Sequence, residues 1–171
     1  MSTTDASSGL DTGTWVLDPD NSTVEFRTKT FWGLMTVKGT FSKYEGHLDL
    51  SSDPAVKLTI DAASLDTKNK KRDTHLRSAD FFDVENHPEV TFEASDARLE
   101  GDQLHVAGKL AAGGSEIPLE LSAAITTVGD VHELETSVAV DHRKLGMTFN
   151  QAGMIRDSST LVVRGRLIRQ G

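Results

Sequence analysis

Cysteine is absent from the 171 residues, which removes disulfides and thiolate metal sites from consideration. No run of about 18 consecutive apolar residues exists, so no membrane-spanning helix is legible. The opening MSTTDASSGLDTG lacks a basic start followed by an apolar core, so it does not read as a secretory signal. Positive charge is scarce. The formal net charge of −8 argues against a general nucleic-acid binder, because affinity for a phosphate backbone needs clustered cations. The histidines (His47, His75, His87, His105, His132 and His142) show no tight ligand spacing such as H-x-H or H-E-x-x-H. No serine occupies a G-x-S-x-G elbow, and Gly108 and Gly113-Gly114 form no phosphate loop. The resulting expectation is a soluble, cytoplasmic protein with no metal, no cofactor, no nucleic-acid partner and no integral membrane segment.

What is present is alternation. Residues 1–13 read as a disordered arm, and residues 14–170 as one domain long enough to bury a core. Trp15-Val16-Leu17 opens the first strand, and Asp18-Pro19-Asp20-Asn21 is a turn, because proline presets φ and Asp and Asn bond nearby backbone. Val24, Phe26, Thr28, Thr30 and Trp32 then form one row, with Glu25, Arg27 and Lys29 on a wet opposite face. Further rows are Met35-Val37-Gly39-Phe41, Leu48-Leu50 after an expected bulge at Gly46, Val56-Leu58-Ile60-Ala62, and Val90-Phe92-Ala94. Leu104-Val106-Gly108-Leu110, Ile117-Leu119-Leu121-Ala123-Ile125, Leu134-Thr136-Val138-Val140 and Leu161-Val163-Gly165-Leu167 follow, the last set against Val162, Arg164 and Arg166. Glycine-containing turns separate most of them. About eight antiparallel strands, each with one apolar face, predict a mainly β chain closed into a barrel, with an open sandwich as the rival.

One stretch breaks the pattern. SLDTKNKKRDTHLRSADFFDVENHPEVTF, Ser64 to Phe92, gathers Lys68, Lys70, Lys71, Arg72 and Arg77. Leu76 and Ala79 are spaced for one face of a short helix. Asp73 and Arg77 stand at i,i+4, acid first, the helpful orientation for an ion pair. Thr67 or Asn69 is placed to cap the start. The expectation is a helical insertion after the fourth strand, lying across the barrel.

The same stretch resembles the signature of the YceI-like family of lipid-binding proteins. Ser64, Thr67, Arg72, Asp73, His75, Leu76, Arg77, Ser78, Asp80, Phe81, Phe82, Asp83, Pro88 and Phe92 match its pattern in order. TWVLDPDNSTVEF (Thr14 to Phe26) and GTFSKYEGHLDL (Gly39 to Leu50) resemble further parts of the family, and the likeness runs from Trp15 to Arg169. The resemblance implies a lipocalin-like barrel holding a polyisoprenoid, an isoprenoid quinone or another long-chain lipid. It supplies no catalytic residues. Many family members carry a signal peptide, from which this chain departs.

Small residues within the apolar rows, with only 6% aromatics, favour a lined cavity; the alternative is an ordinary core whose small residues serve curvature. The rows point Phe26, Phe41, Phe92, Val106, Leu119, Leu121 and Val138 at ligand or core. Phe81 and Phe82 are adjacent, and neighbours diverge in helix or strand, so one is expected to plug the barrel and the other to pack beneath the helix against Leu76. The long loop KLGMTFNQAGMIRDSS contributes Met147, Phe149 and Met154, which either flank a cavity mouth or pack outside at a homodimer contact. The basic run suits an anionic head group, although Lys68, Lys70 and Lys71 read better as a solvated face, with Arg72, Asp73, His75 and Arg77 as a structural network. Non-covalent binding of a long-chain amphiphile is the expected function. The rivals are a lipid-directed isomerase or cyclase using the same cavity, and a stress-related structural protein with a filled barrel.

Overall fold

The computed structural model describes residues 13–30, 34–51, 54–147 and 158–169. Its strands are β1 (Thr14–Leu17), β2 (Thr23–Thr30), β3 (Met35–Phe41), β4 (Tyr44–Asp49), β5 (Ala55–Asp61), β6 (Leu65–Asp66), β7 (Glu89–Glu100), β8 (Gln103–Ala112), β9 (Ser115–Val128), β10 (Val131–Asp141) and β11 (Ser158–Arg169). One helix, α1 (Lys70–Leu76), lies between β6 and β7. Neighbours pair antiparallel in the order β1-β4-β5-β7-β8-β9-β10-β11-β2-β3-β6, and β1 also pairs with β11.

These eleven segments are eight strands, because three strands are each interrupted once. β1 and β2 are halves of the first strand, split by the turn Pro19–Asn21, and both pair with β11. Asp18 makes that turn: its carboxylate accepts from the Asp20 N–H at 3.1 Å and from the Asn21 side chain at 2.6 Å. β3 and β4 are halves of the second strand, opposite β2 and β1. β5 and β6 form the third, split by the 3-10 turn Ala62–Ser64. Each strand neighbours the next in sequence, and the eighth returns to the first: Leu161 lies opposite Phe26, and Leu167 opposite Leu17. The closed antiparallel barrel is therefore a meander, with the helical insertion after the third barrel strand rather than the fourth.

The apolar rows face inward. Val24, Ile60, Leu104, Ala123 and Ile125 are almost wholly buried in one continuous core. Several details depart from the sequence reading. Gly46 marks no bulge, since its pairing with Leu58 continues the register on both sides. It is glycine because Leu17 crosses it, and a Cβ there would stand 3.1 Å from that of Leu17. The bulge lies between Ala94 and Asp96, and it moves the inward set of β7 from Val90, Phe92 and Ala94 to Ala97 and Leu99. The outer face of the first strand is not uniformly wet. Glu25 is only 5% exposed, held by Arg27 Nε at 2.7 Å and Lys38 Nζ at 3.8 Å, and its cross-strand partner Val162 is buried with it. Met35 ends its row in solvent. Trp32, Phe149 and Met154 lie outside the described residues.

Candidate functional site

α1 is set over one barrel end by side chains that reach back to the third strand. Asn69 caps it, its side-chain oxygen accepting from the Arg72 N–H at 3.0 Å. Asp73 is buried and accepts from both the N–H of Thr67, at 2.9 Å, and its hydroxyl. Arg72 donates from Nε to the Thr67 hydroxyl and from a terminal nitrogen to the Thr67 carbonyl, both at 2.9 Å. Arg77 donates to the carbonyls of Ala63 (3.1 Å) and Leu65 (2.8 Å). The expected Asp73–Arg77 ion pair is therefore replaced. Each member ties the helix to the strand before it, where satisfying buried backbone groups is worth more than an exposed pair. The helix ends at Leu76, and Ala79 falls in an exposed turn instead of on its face. Lys68, Lys70 and Lys71 point to solvent.

The chain then turns back through Phe81 and Phe82, with the Phe82 N–H donating to the Leu76 carbonyl at 3.0 Å and Asp83 at a left-handed φ of 48°. This tight reversal is neither helix nor strand, so the two neighbouring rings do not diverge to separate faces. Both line a cavity of about 270 Å³ beneath α1. Phe82 meets Phe26 and Phe41 with ring centroids 6.1 and 6.0 Å apart, while Phe81 stands edge-on to His75 at 5.2 Å. Phe26 in turn lies over Gly39, where a Cβ would come within 2.3 Å of the ring. Leu76, Val90, Leu110, Val140 and Leu145 complete most of the apolar wall.

A smaller cavity of about 100 Å³ continues toward the opposite end. Phe92, Val106, Leu119, Leu121 and Val138 line it, with Leu104, Leu134, Val163 and Leu167. The sequence-derived residues thus divide between two chambers: Phe26, Phe41, Phe81 and Phe82 in the larger, the aliphatic residues and Phe92 in the smaller. Met147 is buried but borders neither chamber, lying near the Gly113 turn, beyond the end of β10 at Asp141 and the 3-10 turn His142–Leu145.

Arg72 and His75, which the sequence singled out, line the larger chamber, whereas sequence reasoning missed the rest of its polar edge. Thr28 Oγ1 and Ser159 Oγ are 2.6 Å apart across β2 and β11, and His142 Nδ1 is 2.9 Å from the same Ser159 oxygen. All three line the cavity. The sequence signal was weak: Thr28 holds an inward position, but its link to Ser159 spans 131 residues. His142 is carried on the 3-10 turn His142–Leu145, which Asp141 caps. The side-chain hydrogen bonds from Arg143 hold the Asp141 pKa below the ordinary carboxylate value. Among the described residues, no cluster of three or more histidine or acidic side chains is placed to hold a metal ion, and no helix is long and apolar enough to cross a membrane.

Comparison with known proteins places this geometry. The family model described as YceI-like domain matches residues 15–167. A UPF0312 protein of Pectobacterium atrosepticum is 34% identical over 111 residues, 63% of this chain and 57% of its own length. Protein YceI of Escherichia coli O157:H7 is 35% identical over 111 residues, 63% of this chain and 58% of its own length. The chain therefore spans less than two thirds of the curated relatives it matches. Among solved structures, Burkholderia cenocepacia BcnA superposes with a TM-score of 0.79 at 18% identity, covering 89% of this chain and 99% of that one. A polyisoprenoid binding domain from Saccharophagus degradans superposes with a TM-score of 0.74 at 13% identity, covering 91% and 98%. At those identities the likeness is one of fold.

Proposed function

This chain belongs to the YceI-like domain family, and from that premise we propose that it binds an amphiphile non-covalently, apolar chain inside the barrel and polar end at the α1 side. The observation that carries the reading is the larger chamber, a space of about 270 Å³ walled mainly by phenylalanine and aliphatic side chains. Such a space suits a ligand that gains about 25 cal/mol for each Å² of apolar surface removed from water. The polyisoprenoids, isoprenoid quinones and related long-chain lipids named by the resemblance have this form. The solved polyisoprenoid binding domain of the same fold supports them. Thr28, Ser159 and His142 give the polar end hydrogen-bonding partners, which orient it and leave most of the affinity to the chain.

An enzyme reading would draw on the Ser159–His142 contact, a hydroxyl within reach of a base. Binding is favoured, because this one polar contact lies at the edge of a chamber whose wall is otherwise mainly phenylalanine and aliphatic side chains. Mass spectrometry of an organic extract of the purified protein tests the proposal. A stoichiometric amphiphile is the expected result. Protein that is lipid-free as purified, and takes up none when offered prenyl alcohols and quinones, overturns it.

A further inference from the structure

Among the described lining residues a single side chain borders both chambers: Leu161. Its position follows from the register. On β11 it stands opposite Phe26 of β2, which faces the larger chamber, and opposite Val138 of β10, which faces the smaller. The parts around it differ in their freedom. The Phe26 ring lies on Gly39 and packs against Phe41 and Phe82 at centroid distances of 5.8 and 6.1 Å, so it has nowhere to retreat. Val138 and Val163 are β-branched and stiff at χ1. Leu161 is unbranched at Cβ, half-buried, and flanked by empty space on two sides. It is the part of the partition able to yield.

We propose that Leu161 is a gate that measures chain length, admitting a ligand's tail from the larger chamber into the smaller only when the side chain is displaced. This rests on the lipid-binding reading and adds a specificity residue to it. At about 30 Å³ per water-sized unit, the larger chamber accommodates on the order of ten chain carbons. Tails that fit gain affinity with every carbon. Longer tails must move Leu161, and the gain per carbon stops until they do. Shape and space set the break, independently of the head group.

Straight-chain primary alcohols from hexanol to hexadecanol, titrated calorimetrically into the full chain, supply one-carbon steps. For the wild type the expected affinity rises about fourfold per methylene, the equivalent of about 0.8 kcal/mol, up to a break and then levels. Leu161→Ala moves the break to longer alcohols, Leu161→Val moves it less in the same direction, and Leu161→Phe moves it to shorter ones. Because the phenylalanine variant shifts the break the opposite way, a poorly folding alanine variant does not remove the test. A steady rise through the series, or a break that stays in place in the variants, overturns the gate while leaving lipid binding intact. No binding by any straight-chain alcohol overturns the gate, and overturns lipid binding with it when prenyl alcohols and quinones are also refused.

Discussion

The two halves of the barrel wall are built to different rules. β7 to β11 run for 12, 10, 14, 11 and 12 residues, disturbed only by the bulge after Ala94. β1 to β6 are pieces of 4, 8, 7, 6, 7 and 2 residues, separated by capped turns and short breaks. Among the described residues, the phenylalanines of the larger chamber, Phe26, Phe41, Phe81 and Phe82, come from the interrupted half and its insertion, whereas most of the smaller chamber's wall comes from the regular half. Regular strands give a frame whose inner surface is fixed by the pleat. Interruptions allow a helix, a tight reversal and paired aromatic rings to be brought over one end, so the interrupted half supplies the aromatic part of the proposed site.

The strongest way to break that contrast is to compare one phenylalanine from each side. Phe92→Ala, in the frame and 5% exposed, should lower stability by about 3–5 kcal/mol in urea unfolding. Next comes the tie between α1 and the third strand. Asp73→Ala strands the buried Thr67 N–H and hydroxyl, so it should cost about 1–3 kcal/mol and increase amide exchange across α1 before the frame opens. Uniform protection across α1 and β8 in that variant would show the helix is held by other means. Phe82→Ala, half-buried against Phe26 and Phe41, should cost less, about 1–2 kcal/mol, yet reduce the lipid recovered from purified protein. Equal lipid recovery in the Phe82→Ala and wild-type proteins would remove that ring from the site.

Smaller effects sharpen the contrast further. Lys70→Ala and Lys71→Ala should stay within about 0.5 kcal/mol of wild type and retain the same lipid, since both side chains face solvent. Loss of lipid in either would restore a role for the basic run. The most local effect is an acid response. Arg143 holds the Asp141 pKa below its ordinary value, so the stabilisation is present above the unfolded value near ~4 and lost as pH falls through the folded one. Amide protection over His142–Leu145 should fall in that window, and Asp141→Ala, which removes both the cap and the charge, should show low protection at every pH.

Legibility in the sequence followed the same division. In β8 to β11 every second residue points inward, so alternation alone located Val106, Leu119, Leu121 and Val138. Around α1 the determinants are contacts that periodicity does not encode. Asp73 reads as an ion-pair partner for Arg77, but the nearby unpaired donors of Thr67 claim it. Adjacent Phe81 and Phe82 read as divergent, but a reversal brings both to one chamber. Glu25 reads as an outer, solvated acid, yet Arg27 and Lys38 hold it in a buried patch beside Val162. The Thr28–Ser159–His142 link required knowing that the last strand closes on the first.

That closure also sets a schedule for synthesis. Thr28 emerges from the ribosome 131 residues before Ser159, roughly 7–26 s earlier at about 5–20 residues per second. Through that interval one side of the first strand has no partner, and β10 becomes a second open edge once made. Both are templates for pairing with another chain. A nascent or truncated chain that lacks β11 is therefore the aggregation-prone form of this protein and the one a chaperone must shield, whatever the finished barrel binds.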